Sequence, residues 1–232
     1  MKSFEITAIL LSVALTSASS ISSATVVYQQ SFSANTATIA TTMAQYGLSD
    51  NGLSFAEAQS GILRIGGVGG ETHSADIGAF AGDLRIGYAT TVVGGNGSGN
   101  TGFRIGDNYF VFHPGYPGGA FRIEGPNGHG NVDMGFTPVE PQMNFVSITV
   151  QASTGLTTLS MDDGNVLHFF REEFLNTNYR AGVTVLGLSV GGGVAASFDN
   201  VQITSSVPEP AGWALLVGGL VAAALVARQR RG

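Results

Sequence analysis

The pentapeptide from Gly187 to Gly191 matches a catalytic motif, because it has the pattern G-x-S-x-G around Ser189. In α/β-hydrolases this pattern needs a helix directly after the serine and a histidine later in the chain. Here another β-type segment follows, and all four histidines precede Ser189. The pattern therefore predicts a strand that ends in a glycine-rich turn, not a nucleophile.

Carboxylate pairs are the next candidates for chemistry, because glycoside hydrolysis needs two carboxyl groups on one face of the site. Glu172 and Glu173 are adjacent, so in a strand they point to opposite faces. Asp162 and Asp163 belong to a turn signal, and residues 25–206 contain no tryptophan to stack on a sugar ring. We therefore expect no enzymatic activity, with a secreted polysaccharide hydrolase or lyase as the alternative.

One histidine lies in a loop of unusual composition. The segment from His113 to Gly119 holds two prolines, three glycines and Tyr116. Such a loop either presents His113 and Tyr116 to a ligand or serves only as a long hairpin connection. The four histidines show no i, i+2 or i, i+4 pairing, so no metal site is predicted from them.

Asp199 and Asn200 interrupt the alternation of the last predicted strand. Their oxygen atoms would suit a structural calcium ion. A β-bulge explains the same interruption without a metal, and we favour the bulge. No other cofactor is expected.

Composition excludes several classes of protein. The 232-residue chain has a net charge of −6, 34 glycines and no cysteine, which excludes disulfide scaffolds, zinc ribbons and thiol enzymes. Charged residues amount to only 11%, too few for a helical bundle or coiled coil. Residues 25–206 hold six of the ten basic residues and fourteen of the sixteen acidic ones, a net charge of −8. Such a surface repels phosphate backbones, so no nucleic-acid partner is expected.

Alternating apolar and polar residues predict an all-β domain over residues 25–206, with one short helix, or only a turn, at Arg171–Asn178. Turn signals separate the predicted strands, for example at Asp50-Asn51-Gly52 and Gly106-Asp107-Asn108. This pattern is typical of a β-sandwich. The predicted strands are Val26–Phe32, Gly61–Ile65, Leu84–Tyr88, Gly102–Ile105, Tyr109–Phe112, Ala120–Glu124, Val146–Val150, Leu156–Met161, Val166–Phe170, Gly182–Val190 and Val194–Ile203.

Three segments give this domain a resemblance to a known fold family. They are an opening strand at Tyr28–Phe32, paired aromatic strands at Phe103–Gly106 and Tyr109–Phe112, and a closing F-D-N-V strand at Ser197–Val201. The layout resembles the concanavalin A-like (LamG-like) jelly-roll β-sandwich. A galactose-binding-like sandwich is the nearest rival.

The N-terminus has the three parts of a secretory signal peptide. Lys2 precedes an apolar run from Ile6 to Leu15, and small residues follow up to Ala24. The run is too short to span a bilayer, and a short buried helix is the alternative interpretation. We expect residues 1–24 to be recognised by the Sec translocon and removed by signal peptidase after Ala24.

The C-terminus combines an apolar run with a basic end. Ala211–Ala227 holds no charged residue, and its seventeen residues would form a helix of roughly 25 Å, at the short end of a membrane span. Trp213 suits the membrane interface. Three arginines follow, which the positive-inside bias would hold in the cytoplasm: Arg228, Arg230 and Arg231.

The tripeptide Pro208-Glu209-Pro210 directly precedes this run. Residues 207–232 thus resemble the PEP-CTERM sorting signal: the tripeptide, an apolar helix and a basic stub. The resemblance implies processing by an exosortase-like membrane protease in a bacterium that makes extracellular polysaccharide. An ordinary membrane anchor behind a proline-rich stalk is the alternative.

These signals predict an exported protein that starts as an inner-membrane-anchored precursor and ends at the cell surface or in the extracellular matrix. We expect it to bind a polysaccharide or to serve as matrix scaffold. A passive surface or stalk protein without a ligand is the third possibility.

Overall fold

The computed structural model describes residues 24–93, 99–113, 119–126, 128–136, 143–162, 164, 169–175 and 184–206. Over these residues the chain forms fifteen strands and a helix, and Thr25–Ser205 make one compact unit. In chain order the elements are β1 (Thr25–Gln30), α1 (Ile39–Tyr46), β2 (Ser49–Asn51), β3 (Phe55–Gln59), β4 (Ile62–Gly66), β5 (Thr72–Phe80), β6 (Asp83–Val93), β7 (Asn100–Ile105), β8 (Asn108–His113), β9 (Ala120–Glu124), β10 (His129–Asp133), β11 (Asn144–Val150), β12 (Leu156–Asp162), β13 (Phe169–Leu175), β14 (Thr184–Gly191) and β15 (Ala195–Ser206).

The strands form two sheets that pack face to face. The eight-stranded sheet has the order β13-β12-β11-β6-β15-β4-β3, with β1 paired to β15. The seven-stranded sheet has the order β10-β9-β8-β7-β14-β5-β2. Neighbours such as β11 and β12, or β14 and β7, run antiparallel. The predicted all-β sandwich is therefore confirmed at the level of two packed sheets.

Period-two alternation places the core between the sheets. In β11, Val146, Ile148 and Val150 are buried while the residues between them are less buried or exposed. Tyr88 of β6 stacks on Phe103 of β7 with 5.6 Å between ring centroids, which joins the two sheets. Burial raises the pKa of the Tyr88 phenol, so this group is neutral in the core.

The helix is not where the sequence predicted it. Helix α1 begins after Thr38, whose hydroxyl accepts a hydrogen bond from the Thr41 backbone N–H, and ends at Gly47 in the left-handed conformation (φ 63°). Met43 and Tyr46 bury the inner side of the helix. The capping threonine and the glycine are recognisable signals, but the run between them is too short for a clear helical period.

The predicted helix at Arg171–Asn178 is wrong over its described part, because Phe169–Leu175 is strand β13. This strand pairs with β12 along its whole length, with Glu172 opposite Leu159. Phe170 and Phe174 lie on the same face of the strand, toward the core, and both contact Phe121 of the other sheet. Pairing and core packing therefore override the helix propensity of the charged residues in this segment.

The sequence also missed strands β2, β3, β5 and β10. Asp50-Asn51-Gly52 was expected to be a turn, but Ser49–Asn51 pairs with β5 and the turn follows it, where Asp50 Oδ1 accepts a hydrogen bond from Leu53 N. These strands contain many Gly, Ala, Ser and Asp residues, which weakens the β-strand signal.

The predicted end signals lie outside the described residues, apart from Ala24, which is exposed and directly precedes β1. In the part of the chain that the structure describes, no helix has the length and apolar character needed to cross a membrane. The proposed span at Ala211–Ala227 is outside that part.

Candidate functional site

The G-x-S-x-G segment lies in the middle of a sheet. In β14, Leu186, Leu188 and Val190 belong to the core, so Gly187, Ser189 and Gly191 face outward from the seven-stranded sheet. As predicted, the strand ends in a glycine turn, with Gly192 and Gly193 at positive φ. The small outer face of this strand leaves space that neighbouring side chains occupy: a Cβ atom at Gly187 would lie 2.6 Å from Asp76 Oδ1, and one at Gly191 would lie 2.7 Å from Thr72 Oγ1.

The neighbouring strand β7 continues this surface of small residues. Its Gly102 pairs with Ser189 and also faces outward, since Phe103 is in the core. A Cβ atom at Gly102 would overlap the Phe110 carbonyl oxygen and lie 2.9 Å from the Val111 Cα atom. Glycine at this position lets the backbone of β8 approach β7 closely, which favours bending of the sheet.

Side chains from distant strands meet above this surface. Thr72 Oγ1 of β5 donates a hydrogen bond of 2.5 Å to Glu124 Oε2 of β9, although three strands separate β5 from β9. In a flat sheet these two strands would lie roughly 19 Å apart, farther than a threonine and a glutamate can bridge. Asn51 Nδ2 of β2 similarly lies 3.4 Å from the Tyr109 hydroxyl of β8. The outer face of the sheet is therefore concave.

We call this concave surface the groove. Its floor and walls come from six strands of the seven-stranded sheet, β2, β5, β7, β8, β9 and β14. The floor consists of Asn100, Gly102, Gly187, Ser189 and Gly191, and the walls consist of Asn51, Thr72, Ser74 and Asp76 on one side and Tyr109, His113, Arg122 and Glu124 on the other, with Arg104 reaching across.

One polar cluster of the groove is centred on Asp76. Its Oδ1 accepts a hydrogen bond of 2.6 Å from Ser74 Oγ, and its Oδ2 forms a 2.6 Å ion pair with Arg104 Nη1. The Arg104 guanidinium also lies 5.8 Å from the centroid of the Tyr109 ring. Both partners of the ion pair are largely buried, at 18% and 17% exposed side chain, so the pair is little weakened by solvent.

A second polar cluster is centred on Glu124. Its Oε1 accepts a hydrogen bond from Arg122 Nη2, and its Oε2 accepts the one from Thr72. His113 Nε2 lies 3.9 Å from the same Oε1. Both oxygens of Glu124 are thus engaged, as are both oxygens of Asp76.

His113, a ligand residue predicted from the sequence, is buried at the end of β8 and lies in this second cluster. Burial lowers the pKa of its imidazole, nearby Arg122 lowers the pKa further, and Glu124 opposes the shift. The ring is consequently neutral near pH 7. Tyr116, the other predicted residue of that loop, lies outside the described residues.

The groove floor contains polar atoms that no described residue satisfies. Ser189 is fully buried and Asn100 is 4% exposed. Within the part of the chain that the structure describes, neither Ser189 Oγ nor Asn100 Oδ1 has a hydrogen-bond partner. Buried groups of this kind are costly unless a bound molecule pairs with them.

The weak calcium candidates lie elsewhere, in β15. Asn200 adopts the left-handed conformation (φ 50°), and its N–H donates a 2.6 Å hydrogen bond to Asp199 Oδ1. β15 pairs with β4 up to Phe198 and with β1 from Val201 onward, so the two residues occupy the junction between partners. Among the described residues no group of three or more acidic, histidine or cysteine side chains could share an ion.

Sequence reasoning missed most of the groove. The carboxylate pairs singled out from the sequence are adjacent in the chain, whereas Asp76 and Glu124 come from two strands of one sheet. The available signal was the i, i+2 spacing of Ser74 with Asp76 and of Arg122 with Glu124, which places each pair on one face of its strand.

No protein-family model and no curated protein sequence matches the chain. Solved structures with the same fold include three plant lectins. A seed lectin isoform of Lotus tetragonolobus has a TM-score of 0.56 at 11% identity, over 70% of this chain and 94% of the lectin. Lectin I from Ulex europaeus, in complex with the methyl glycoside of α-L-fucose, has a TM-score of 0.53 at 12% identity, over 68% and 91%.

The third structure is the basic winged bean lectin with Tn-antigen, with a TM-score of 0.52 at 10% identity, over 66% of this chain and 90% of the lectin. Identities this low establish the fold alone. The described part of the chain is therefore an all-β two-sheet sandwich that resembles the concanavalin A-like jelly-roll fold of these lectins.

Proposed function

We propose that this is an exported, non-enzymatic carbohydrate-binding protein whose groove holds a glycan chain. The observation that carries the proposal is the floor of the groove, where Ser189 Oγ and Asn100 Oδ1 are buried without a hydrogen-bond partner among the described residues. A sugar supplies hydroxyl groups that donate and accept hydrogen bonds, so it can satisfy both atoms. The lectin-like fold supports the same class of ligand.

Two hydrogen bonds cross the groove between side chains of opposite walls, so a ligand that enters must offer polar groups in their place. Thr72 and Glu124, and likewise Asn51 and Tyr109, meet above the floor. A bound chain would separate these side chains and take over their hydrogen bonds. The aromatic ring of Tyr109 would then stack on one face of a sugar ring.

The binding test compares two aromatic residues on opposite sheets. Tyr109→Ala should weaken glycan binding by about tenfold or more, because stacking and hydrogen bonding are both lost. Phe145→Ala is the matched control, since Phe145 is 54% exposed on the outer face of the eight-stranded sheet. Binding is measured by calorimetry with the oligosaccharides that the wild-type protein retains on a glycan array. Equal loss in both variants, or a wild-type protein that retains no glycan, contradicts the proposal.

A polysaccharide hydrolase or lyase is the second candidate, because Asp76 and Glu124 both face the groove. Retaining and inverting glycosidases need one carboxyl group that donates a proton and another that acts as base or nucleophile. Here an arginine pairs with each carboxylate, Arg104 with Asp76 and Arg122 with Glu124, and neither of these pairs is among the contacts that a bound chain would separate. This favours binding over cleavage. Turnover that disappears in Asp76→Asn or Glu124→Gln would favour the enzyme.

Residues 207–232 supply the sorting part of the proposal, as an exosortase-dependent signal. Replacing Pro208, Glu209 and Pro210 together by alanine leaves the apolar run and the arginines unchanged. We expect this variant to accumulate as unprocessed precursor in the inner membrane, while deletion of residues 207–232 releases an exported protein that is no longer retained. Cell fractionation and mass spectrometry of the mature C-terminus provide the measurement. Normal processing of the alanine variant would instead indicate an ordinary membrane anchor.

A further inference from the structure

We propose that the groove selects uncharged, hydroxyl-rich glycans and rejects polyanionic ones such as chains of uronic acids. This inference rests on the proposed function, which it makes more specific. It follows from how the charges and the unpaired atoms of the groove are arranged.

Among the residues that the structure describes, the groove offers no free cation to an acidic sugar. Arg104 and Arg122 are the only lysine or arginine residues in the strands of the seven-stranded sheet. Each is already paired, Arg104 with Asp76 and Arg122 with Glu124. An incoming carboxylate would have to share either guanidinium with the carboxylate already paired to it, or displace that partner. Sharing brings two negative charges close together, and displacement leaves a largely buried carboxylate without its counter-charge.

The other charged groups around the groove increase this discrimination. Asp133 of the edge strand β10 is exposed and pairs with Ala120 on the groove side of the sheet. His113 adds no positive charge near pH 7, because burial and Arg122 lower its pKa. Residues 25–206 carry a net charge of −8, so the field of the whole domain also repels polyanions.

Asn100 Oδ1, which has no hydrogen-bond partner among the described residues, requires a hydrogen-bond donor. Asn100 Oδ1 can only accept, and a carboxylate or sulfate group has no hydrogen to give it. A sugar hydroxyl donates to Asn100 Oδ1 and can also pair with Ser189 Oγ in either direction. From Gly187 to Gly191 the floor is roughly 14 Å long at about 3.4 Å per residue, the length of a short oligosaccharide.

The test uses pairs of oligosaccharides that differ only in charge. Polygalacturonate and alginate oligosaccharides are presented beside their methyl-esterified or carboxyl-reduced forms, together with neutral glucans, mannans and galactans. The full-length protein should bind neutral chains and prefer the uncharged member of any pair that it recognises by about tenfold. Equal or tighter binding of the acidic member overturns the inference and leaves the proposed function intact. Binding of no chain at all overturns both.

A variant with a matched control tests the physical cause. Glu124→Gln should free Arg122 and raise affinity for the acidic member of the recognised pair about tenfold. Glu173→Gln makes the same change in net charge and frees Arg171 from an ion pair of 2.7 Å on the exposed face of β13, so it should leave selectivity unchanged. Equal gains in both variants would mean that net charge, not the groove, sets the preference. Thermal unfolding verifies that both variants are folded, and the wild-type comparison of paired chains tests the inference independently of them.

Discussion

Gly102 shows how a residue without a side chain shapes the candidate site. The strand β8 approaches β7 so closely that a Cβ atom at this position would overlap the Phe110 carbonyl oxygen. Because the obstacle is backbone, it cannot move aside as the end of a flexible side chain would. Glycine here is a requirement of the bent sheet and hence of the groove.

This requirement predicts a large loss of stability for Gly102→Ala, about 2 kcal/mol or more in the free energy of unfolding, from overpacking. Gly87→Ala is the matched control, because Gly87 lies in β6 and a Cβ atom there would meet nothing within 4 Å. The control should be neutral or stabilising by about 0.5 kcal/mol. Denaturant unfolding of the two variants checks the prediction, and equal stabilities would show that the sheet is not bent in this way.

At the scale of elements, strands with strong alternation could be predicted from the sequence. Ala120–Glu124 has the predicted bounds, and Val146–Val150 and Leu156–Met161 differ from the observed strands by only one or two residues. In the last two segments every second residue is buried, and most of these buried residues are apolar. The two-residue period alone is sufficient to predict a strand where one face of the strand is buried and the other is exposed to water.

The elements that could not be predicted depend on their neighbours. Phe169–Leu175 becomes a strand because β12 offers a partner along its length, and Ser49–Asn51 because β5 does. Helix α1 is only eight residues long, and its N-cap and its C-terminal glycine are clearer signals than its apolar period. Short elements whose stability comes from tertiary contacts leave a weak local signal.

The same limit applies to the candidate site. His113 was singled out from the composition of its loop, and the structure places it beside Glu124. His113, Arg122 and Glu124 come from the neighbouring strands β8 and β9, and the curvature of the sheet brings Thr72 of β5 to them. Residues that meet through curvature have no characteristic spacing in the sequence.

On the scale of the whole molecule, an acidic β-sandwich lies between two terminal segments to which we assign different tasks. Residues 1–24 and 207–232 would route the protein out of the cell, and the groove would act on a glycan once the domain is outside. An acidic domain without cysteine suits this role, since it neither depends on an oxidising compartment nor adheres to anionic polymers.

Nuclear magnetic resonance mapping of the full-length protein, with a neutral oligosaccharide that it retains on the array, locates the binding site directly. We expect the largest shifts of backbone amide signals at Gly187, Ser189 and Gly191 and at Asn100 and Gly102. Amides of β11 to β13 should be unaffected. Shifts concentrated on the outer face of the eight-stranded sheet, around Phe145 and Phe169, would contradict the assignment of the groove as the binding site.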